Sequence, residues 1–498
     1  MPSSKHVRNP NIRLNSTGYG WPETDCAAIK RSFAIQLEYR KRAEGSYRKF
    51  TKRERAFAIS WALKRNKITF DAPRLDDLDY EIRRALRTLD PRSSTGLGVF
   101  ESYPTIGDAL GWNGFCYTSS SNLATLAQYV KARINCLCSE DYYRSHFTAL
   151  SQGSESSQRM RWRRYAPDAP TDVKLFVKDE PHKDSKIVEG RYRLISCFSL
   201  VDQVVDKILF GRHVQSSIDN FGSTSTKGGW APFPGGYKEL LAQFPLQESA
   251  AVDKTAWDQT FHEATLKLCL EIFFSQCRNP TARFRRAVYS RVMETMGCAK
   301  VYRFPDGTRY RQNFIGRMES GWTWTLHGNS LGQEVQHLIT CYRVAKELGK
   351  CAIALRLLNA PPLAWIIGDD VLMKWLDIVS HSWLLDLYHK HLNTTGCIAK
   401  FVKNTREFAG YAYLDKERIV PIYPNKHKFA LMYVHPDQEQ EMLESYFMLY
   451  SMTPDFGWLN DFRTMATFPV GRPQVLWAKG MASYHMRTPQ WLFDKDDP

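Results

Sequence analysis

Apolar residues recur at helical spacing through Leu200–Ile218 and again through Glu263–Gln276, and each stretch is predicted to be a helix. Between Lys30 and Lys67 the same spacing is interleaved with Lys and Arg, the pattern of amphipathic helices with one heavily cationic face. Elsewhere the period shortens. The segment VYRFPDGTRY, around Pro305-Asp306-Gly307, alternates and turns as a hairpin does. Leu363–Ile367 and Val371–Leu376 are short apolar runs separated by Gly-Asp-Asp, which predicts a second hairpin. Ala250-Ala251-Val252 reads as a buried strand with Asp253 at its C-terminal end. Arg92–Gly98 and Gly222–Gly236 are rich in turn formers, and the second is no phosphate-binding P-loop because Lys227 precedes its glycine pair. No internal repeat is present, which excludes a solenoid.

Length and composition set the scale of this pattern. A chain of 498 residues, 43% hydrophobic and 13% aromatic, is expected to fold into two or three lobes rather than stay disordered. With 68 Lys and Arg against 52 Asp and Glu the net charge is +16, which makes a polyanion the leading partner. Eleven cysteines form no paired framework, and Cys136 and Cys138 lack zinc-finger partners, so a reducing compartment is expected. The N-terminus has no signal-peptide core, and the most apolar stretch, Cys351–Ile367, is interrupted by Arg356, Pro361 and Pro362, so no membrane span is expected.

The acidic residues carry the candidate chemistry. Asp253 ends one apolar run, while Asp369 and Asp370 occupy the tip between two others. Adjacent carboxylates repel, and a divalent cation offsets that repulsion. Magnesium suits the site, since it binds one or two carboxylates together with substrate phosphates, and two such ions can serve phosphoryl transfer. Between these signals lies Glu319-Ser320-Gly321-Trp322-Thr323-Trp324-Thr325-Leu326-His327-Gly328-Asn329-Ser330. Ser320-Gly321 can form a flexible helix entrance, after which Thr325 and Asn329 share a helical face. Asn inside a helix needs a reason, and contact with a ribose 2′-hydroxyl would supply one; an ordinary capped helix with a satisfied Asn is the alternative.

Upstream, VKDEPHKDSKIVEGRYRLI packs Lys178, Lys183, Lys186, Arg191 and Arg193 around Pro181 and Gly190, which forbid one continuous helix. An extended or hairpin cationic segment is expected, suited to a triphosphate through Arg forks and Lys point charges, although an isolated charge run is more often a solvated loop.

Taken in order, KDEP to RLI, Asp253 to Asp258, Ser320-Gly321 to Asn329, and Gly368-Asp369-Asp370 resemble motifs F, A, B and C of the RNA-dependent RNA polymerases of positive-strand RNA viruses. The KDEP form is similar to that of the sobemovirus and polerovirus lineage. The loop Ser93-Ser94-Thr95-Gly96-Leu97-Gly98 resembles motif G, with Thr95 and Gly98 where that lineage often has prolines. Glu407-Phe408-Ala409-Gly410 resembles motif E, where the lineage commonly shows Glu-Phe-Cys-Ser.

The resemblance implies an α+β right-hand polymerase: antiparallel-sheet palm, fingers and a mostly helical thumb. It divides the chain into fingers and fingertip (1–195), palm (196–274), a fingers insertion (275–318), palm again (319–412) and thumb (413–498). It implies template-directed nucleotidyl transfer with two Mg²⁺ ions, or Mn²⁺ in their place, held by Asp253 and Asp369 with Asp370 auxiliary. Lys178, Lys186, Arg191 and Arg193 would bind the triphosphate. Asp258, Thr325 and Asn329 would sense the ribose, Ser320-Gly321 would lie near the nascent pair, and Ser94, Thr95 and Gly96 would contact the template. A motif D lysine, either Lys400, which is favoured, or Lys403, would protonate pyrophosphate. The implied partners are template RNA, the nascent strand, NTPs, a protein primer (VPg) and other viral replication proteins, in host cytoplasm at membrane-associated complexes reached through partners. A reverse transcriptase would share the carboxylates but usually has an aromatic-x-Asp-Asp tip and lacks the basic segment. A non-enzymatic RNA-binding protein would account for the charge but not for the acidic residues.

Overall fold

The computed structural model describes residues 6–151, 171–376, 380–453 and 472–481. At its centre four antiparallel strands form a sheet: β1 (Ser249–Lys254), β2 (Ala364–Ile367), β3 (Asp370–Lys374) and β4 (Ala399–Lys403), in spatial order β2-β3-β1-β4. Successive side chains of a strand face opposite ways, and here both faces are covered. Ala364, Ile366, Val371 and Met373 enter the main core, whereas Trp365 and Leu372 enter a second cluster with Trp230, Phe408 and Tyr413. That double burial is why these strands read as continuous apolar runs.

Helix formation follows the spacing. The basic N-terminal stretch makes α1 (Cys26–Ser46) and α2 (Lys52–Arg65), with Asp25 capping the first and a reciprocal Thr51–Glu54 capping box opening the second. Helices Leu200–Asp219 and Glu263–Gln276 form where predicted. The central helix α3 (Thr325–Leu348) packs under the sheet against α2, and most of its residues are buried. Several of its buried polar groups are paired: Glu334 with Arg65, Gln336 with Lys254, and His337 with the Tyr388 hydroxyl.

A second sheet orders Leu194–Cys197, Val173–Val177, Val301–Arg303 and Arg309–Arg311, the last two being the hairpin around Pro305-Asp306-Gly307. Within the basic segment the extended or hairpin expectation is only partly met. Asp184–Glu189 is a short helix, closed by Gly190 in the left-handed region at φ +71° with its amide on the Ile187 and Lys186 carbonyls. Pro181 and Gly190 therefore bound a helix of 6 residues and leave its flanks extended.

The N-terminal stretch packs on distant parts of the chain. Tyr19–Gly20 pairs with His182–Lys183, and Ile12 and Leu14 are buried with Leu431, Leu443 and Tyr450 in a separate small core. The Asn9 amide donates to the Met432 carbonyl at 2.8 Å. None of this was expected from the sequence. Among the described residues, no helix is long and apolar enough to cross a membrane.

Candidate active site

The strand register brings the acids together. β2 and β3 are joined by Gly368-Asp369, with Ile367 paired to Asp370. Gly368 takes φ +61°, which a two-residue hairpin turn with glycine first requires and a side chain would resist. Val371 pairs with Val252, so Asp370 and Asp253 stand at the adjoining end of that ladder. On the other side of β1, Asp253 pairs directly with Lys400, whereas position 403 pairs with Ala250, deeper in the sheet. Asp253 thus lies between a carboxylate-bearing turn and a lysine-bearing edge strand.

These groups open into a cleft of about 700 Å³. Asp253, Asp258, Asp369 and Asp370 line its floor, and Lys183, Lys186, Arg191 and Arg193 line the facing basic segment. Ser320, Lys400 and the Ala409-Gly410 turn complete the wall. Burial, then the charges of Asp369 and Asp253, push the Asp370 carboxyl up to about 6, although the Ala409 amide donates to it. The cationic side is strained in the same sense. Burial and the neighbouring Arg191, Arg193 and Lys183 push the Lys186 ammonium below its usual range. An anion would relieve the cationic wall, and a cation the acidic one.

Asp258 is held between two partners. Asn329 donates through Nδ2 to Oδ1 at 2.9 Å, and Ser320 donates to Oδ2 at 3.1 Å. Burial raises this carboxyl to about 6, with Asp369 adding to the rise and the two donors opposing it. The Asn329 Oδ1 is buried and has no donor. Because the folded state holds the Asp258 proton more tightly than the ordinary value of 3.8, ionisation here costs stability, and the cost grows between about pH 4 and 6. Asp258→Asn is therefore expected to raise the unfolding midpoint of the metal-free protein at pH 7, with the gain shrinking toward pH 4. An equal gain at both pH values in thermal melts would contradict this.

Asn329 is not itself among the residues that line the cleft, and several other expected residues also lie outside it. Gly321, at φ +105°, would bring a Cβ to 2.5 Å of the Ser196 carbonyl oxygen, so only glycine fits that approach. Thr325 donates its hydroxyl proton to the Glu319 carbonyl and does not border the cleft. Lys178 stays outside as well, 3.4 Å from Glu180, whereas Arg191 lines the cleft while bonding Glu189 at 2.9 Å beneath Tyr39. The Ser94–Gly96 loop packs on the start of helix Leu200–Asp219, with Leu200 and Gln203 donating to the Thr95 and Ser94 carbonyls. Thr95 is 1% exposed and donates to Tyr103, so its side chain faces the protein.

Glu180 and Lys426 are among the cleft residues that were missed. Glu180 accepts from Arg193 at 2.9 Å and from Lys426 at 3.1 Å, and against burial these donors hold it down at about 2. An acid amid five cations was a readable hint for Glu180. Nothing local could have pointed to Lys426, which arrives from helix Pro424–Met432. Among the described residues, no three His, Cys, Asp or Glu side chains are grouped closely enough to hold a metal ion by themselves.

A palm-like antiparallel sheet carrying paired carboxylates beneath a basic wall defines a right-hand nucleic-acid polymerase. The chain belongs to the viral RNA-dependent RNA polymerase family, whose model matches residues 140–488. It is 29% identical over 214 residues to the replicase polyprotein P2AB of Southern bean mosaic virus, covering 41% of this chain and 20% of that protein. It is 30% identical over 234 residues to protein P1-P2 of Potato leafroll virus, covering 45% and 20%. To the RNA-directed RNA polymerase of Mushroom bacilliform virus it is 23% identical over 207 residues, covering 41% and 47%. The match to these relatives thus spans between a fifth and about half of their length. They include sobemovirus and polerovirus replicases, the lineage that the motifs resemble. In structure the chain is similar to the Sicinivirus 3Dpol RNA dependent RNA polymerase, with TM-score 0.62 and 16% identity over 95% of this chain and 91% of that one. These findings do not favour a reverse transcriptase or a non-enzymatic RNA-binding protein.

Proposed function

We propose that this chain carries out template-directed RNA synthesis in viral genome replication and transcription, adding a ribonucleotide to an RNA 3′ end with release of pyrophosphate. The observation that carries the reading is one cleft with Asp253, Asp369 and Asp370 on one side and Lys186 and Arg193 on the other. The donor set fits Mg²⁺, which takes a few carboxylates and completes its shell with phosphate oxygens. Asp253 and Asp369 would hold two ions and Asp370 would assist, with Mn²⁺ able to substitute. Such ions would lower the pKa of the attacking 3′-hydroxyl and neutralise the leaving group.

The chain's own residues position the reactants. Arg193 and Lys186 grip the triphosphate, with Arg191 at the rim and Lys178 acting through Glu180. Asn329 accepts the ribose 2′-hydroxyl proton at its unpaired Oδ1 while Asp258 holds its Nδ2. Lys400, cross-strand from Asp253, gives a proton to the departing pyrophosphate. Thr325 has a supporting part, keeping the Glu319–Gly321 bend in place. The Ser94–Gly96 loop meets the template through Ser94 and its backbone. In domain terms the fingers are 1–195 and 275–318, the palm 196–274 and 319–412, and the thumb 413–498, of which 454–471 and 482–498 lie outside the described residues. Template RNA, the nascent strand and NTPs are the direct partners. A protein primer and membrane-associated replication proteins in the host cytoplasm are the wider ones.

The test is extension of a labelled primer on a homopolymeric RNA template with Mg²⁺, comparing ribonucleotides with deoxyribonucleotides. Strong preference for ribonucleotides is expected, and Asn329→Ala should narrow it about tenfold, the worth of one lost hydrogen bond to a buried group. Preferential use of deoxyribonucleotides by the unmodified protein would overturn the reading.

A further inference from the structure

The Gly368-Asp369 turn is held from below by α3. The Gly368 amide is buried and lies outside the strand ladder, so it needs an acceptor of its own. Ser330 Oγ provides it at 2.8 Å. The hydroxyl proton of Ser330 goes to the Leu326 carbonyl one helical turn back, at 2.8 Å, which fixes the oxygen lone pairs toward the turn. One turn further along α3, Gln333 Nε2 donates to the Asp369 carbonyl at 3.3 Å. A donor and an acceptor of the turn are thus both engaged, and the orientation of its backbone is set by the helix. Ser330 and Gln333 are themselves 1% and 2% exposed, so neither can reach a substrate directly.

The same helix carries Asn329, adjacent to Ser330 and bonded to Asp258. From this we infer that Ser330 and Gln333 are positioning residues that lock the Asp369 turn to the ribose-reading end of α3, so that one rigid helix sets the distance between sugar recognition and the carboxylate. The inference rests on the proposed polymerase reading for its kinetic consequence, but the lock itself is a property of the turn and can be tested separately. Misplacing a reacting group by about 1 Å costs on the order of 100-fold in rate even when binding is preserved. Loss of the lock should therefore lower kcat and leave KM for the nucleotide nearly unchanged.

The experiment compares Ser330→Ala, Ser330→Thr and Gln333→Met with the unmodified full chain, reading primer extension kinetics, Mn²⁺ affinity by electron paramagnetic resonance, and thermal midpoint. Ser330→Ala is expected to lower kcat about 10- to 100-fold at constant KM and to weaken Mn²⁺ binding, with Ser330→Thr recovering most of both because it restores the hydroxyl. Gln333→Met keeps the volume, removes the donor, and should show a smaller effect of the same kind. Unchanged kcat and Mn²⁺ affinity in folded Ser330→Ala and Gln333→Met would overturn the inference, as would a loss confined to KM. If Ser330→Ala does not fold, Gln333→Met decides alone. Absence of polymerase activity in the unmodified protein would instead refute the polymerase reading, and the Mn²⁺ measurement would still judge the lock.

Discussion

Asp369→Ala is expected to remove detectable RNA synthesis, a loss of at least about 1,000-fold, while leaving the protein folded. The size follows from charge: a carboxylate that helps to hold a divalent ion contributes several kcal/mol in the transition state, and each 1.4 kcal/mol is tenfold. Tolerance of the fold follows from position, since Asp369 is exposed to the cleft on a turn whose backbone is anchored by α3. The substitution also has a local electrostatic signature. Asp369 is among the charges that raise both Asp258 and Asp370 to about 6, so both carboxyls should titrate lower in the variant. Carboxyl-resolved NMR titration beside primer extension separates the outcomes. Full activity in Asp369→Ala would discard the catalytic assignment, and lost activity with unshifted Asp258 and Asp370 would mean that the turn has moved rather than merely lost a charge.

Three of the four strands of the central sheet could be read from the sequence because their information is local, whereas Ala399–Lys403 was not read as a strand. Two apolar runs around Gly-Asp-Asp admit little besides a hairpin, and the run before Asp253 is short, small and bounded. The helices Leu200–Asp219 and Glu263–Gln276 were legible for the same reason, since burial at helical spacing leaves a trace within one turn. What sequence could not supply was the direction of individual side chains and the meeting of distant ones. Thr95 looks like an available loop hydroxyl, yet the loop folds inward on Tyr103. Glu180 and Lys426 are 246 residues apart, and Asn9 reaches Val434 across 425, so no window of the chain contains either pair. Ser330 is similar: its neighbour Asn329 drew attention for a ribose, while its own partner lies on a separate hairpin. The short helix Asp184–Glu189 was hidden because Pro181 and Gly190 mark boundaries without saying what lies between them.

The largest stability effect is expected outside the cleft lining, at a buried ionic cluster that ties three helices together. Arg291 reaches Asp206 through two bonds of 2.7 and 2.9 Å and Glu294 at 3.1 Å, while Arg133 pairs with Asp202 and Glu294. None of the five is more than 4% exposed. Their elements are Ser120–Cys138, Leu200–Asp219 and Ala282–Met296, and the second of these starts beside both Leu194–Cys197 and the Ser94–Gly96 loop. Removing one partner strands charge in a low-dielectric interior, so Arg291→Ala should destabilise by about 3–5 kcal/mol. Desolvation of the whole cluster is nearly as large as the attraction it gains, and replacing a pair by apolar groups of similar volume is often close to neutral. The double variant Arg291→Met with Asp206→Leu should therefore be more stable than Arg291→Met alone, a comparison that keeps the side-chain volume at position 291 constant. Urea unfolding of the single and double variants checks the point. A loss below about 1 kcal/mol in Arg291→Ala, or a double variant no more stable than Arg291→Met, would mean that the cluster is hydrated and that its geometry, rather than its charge balance, holds these helices together.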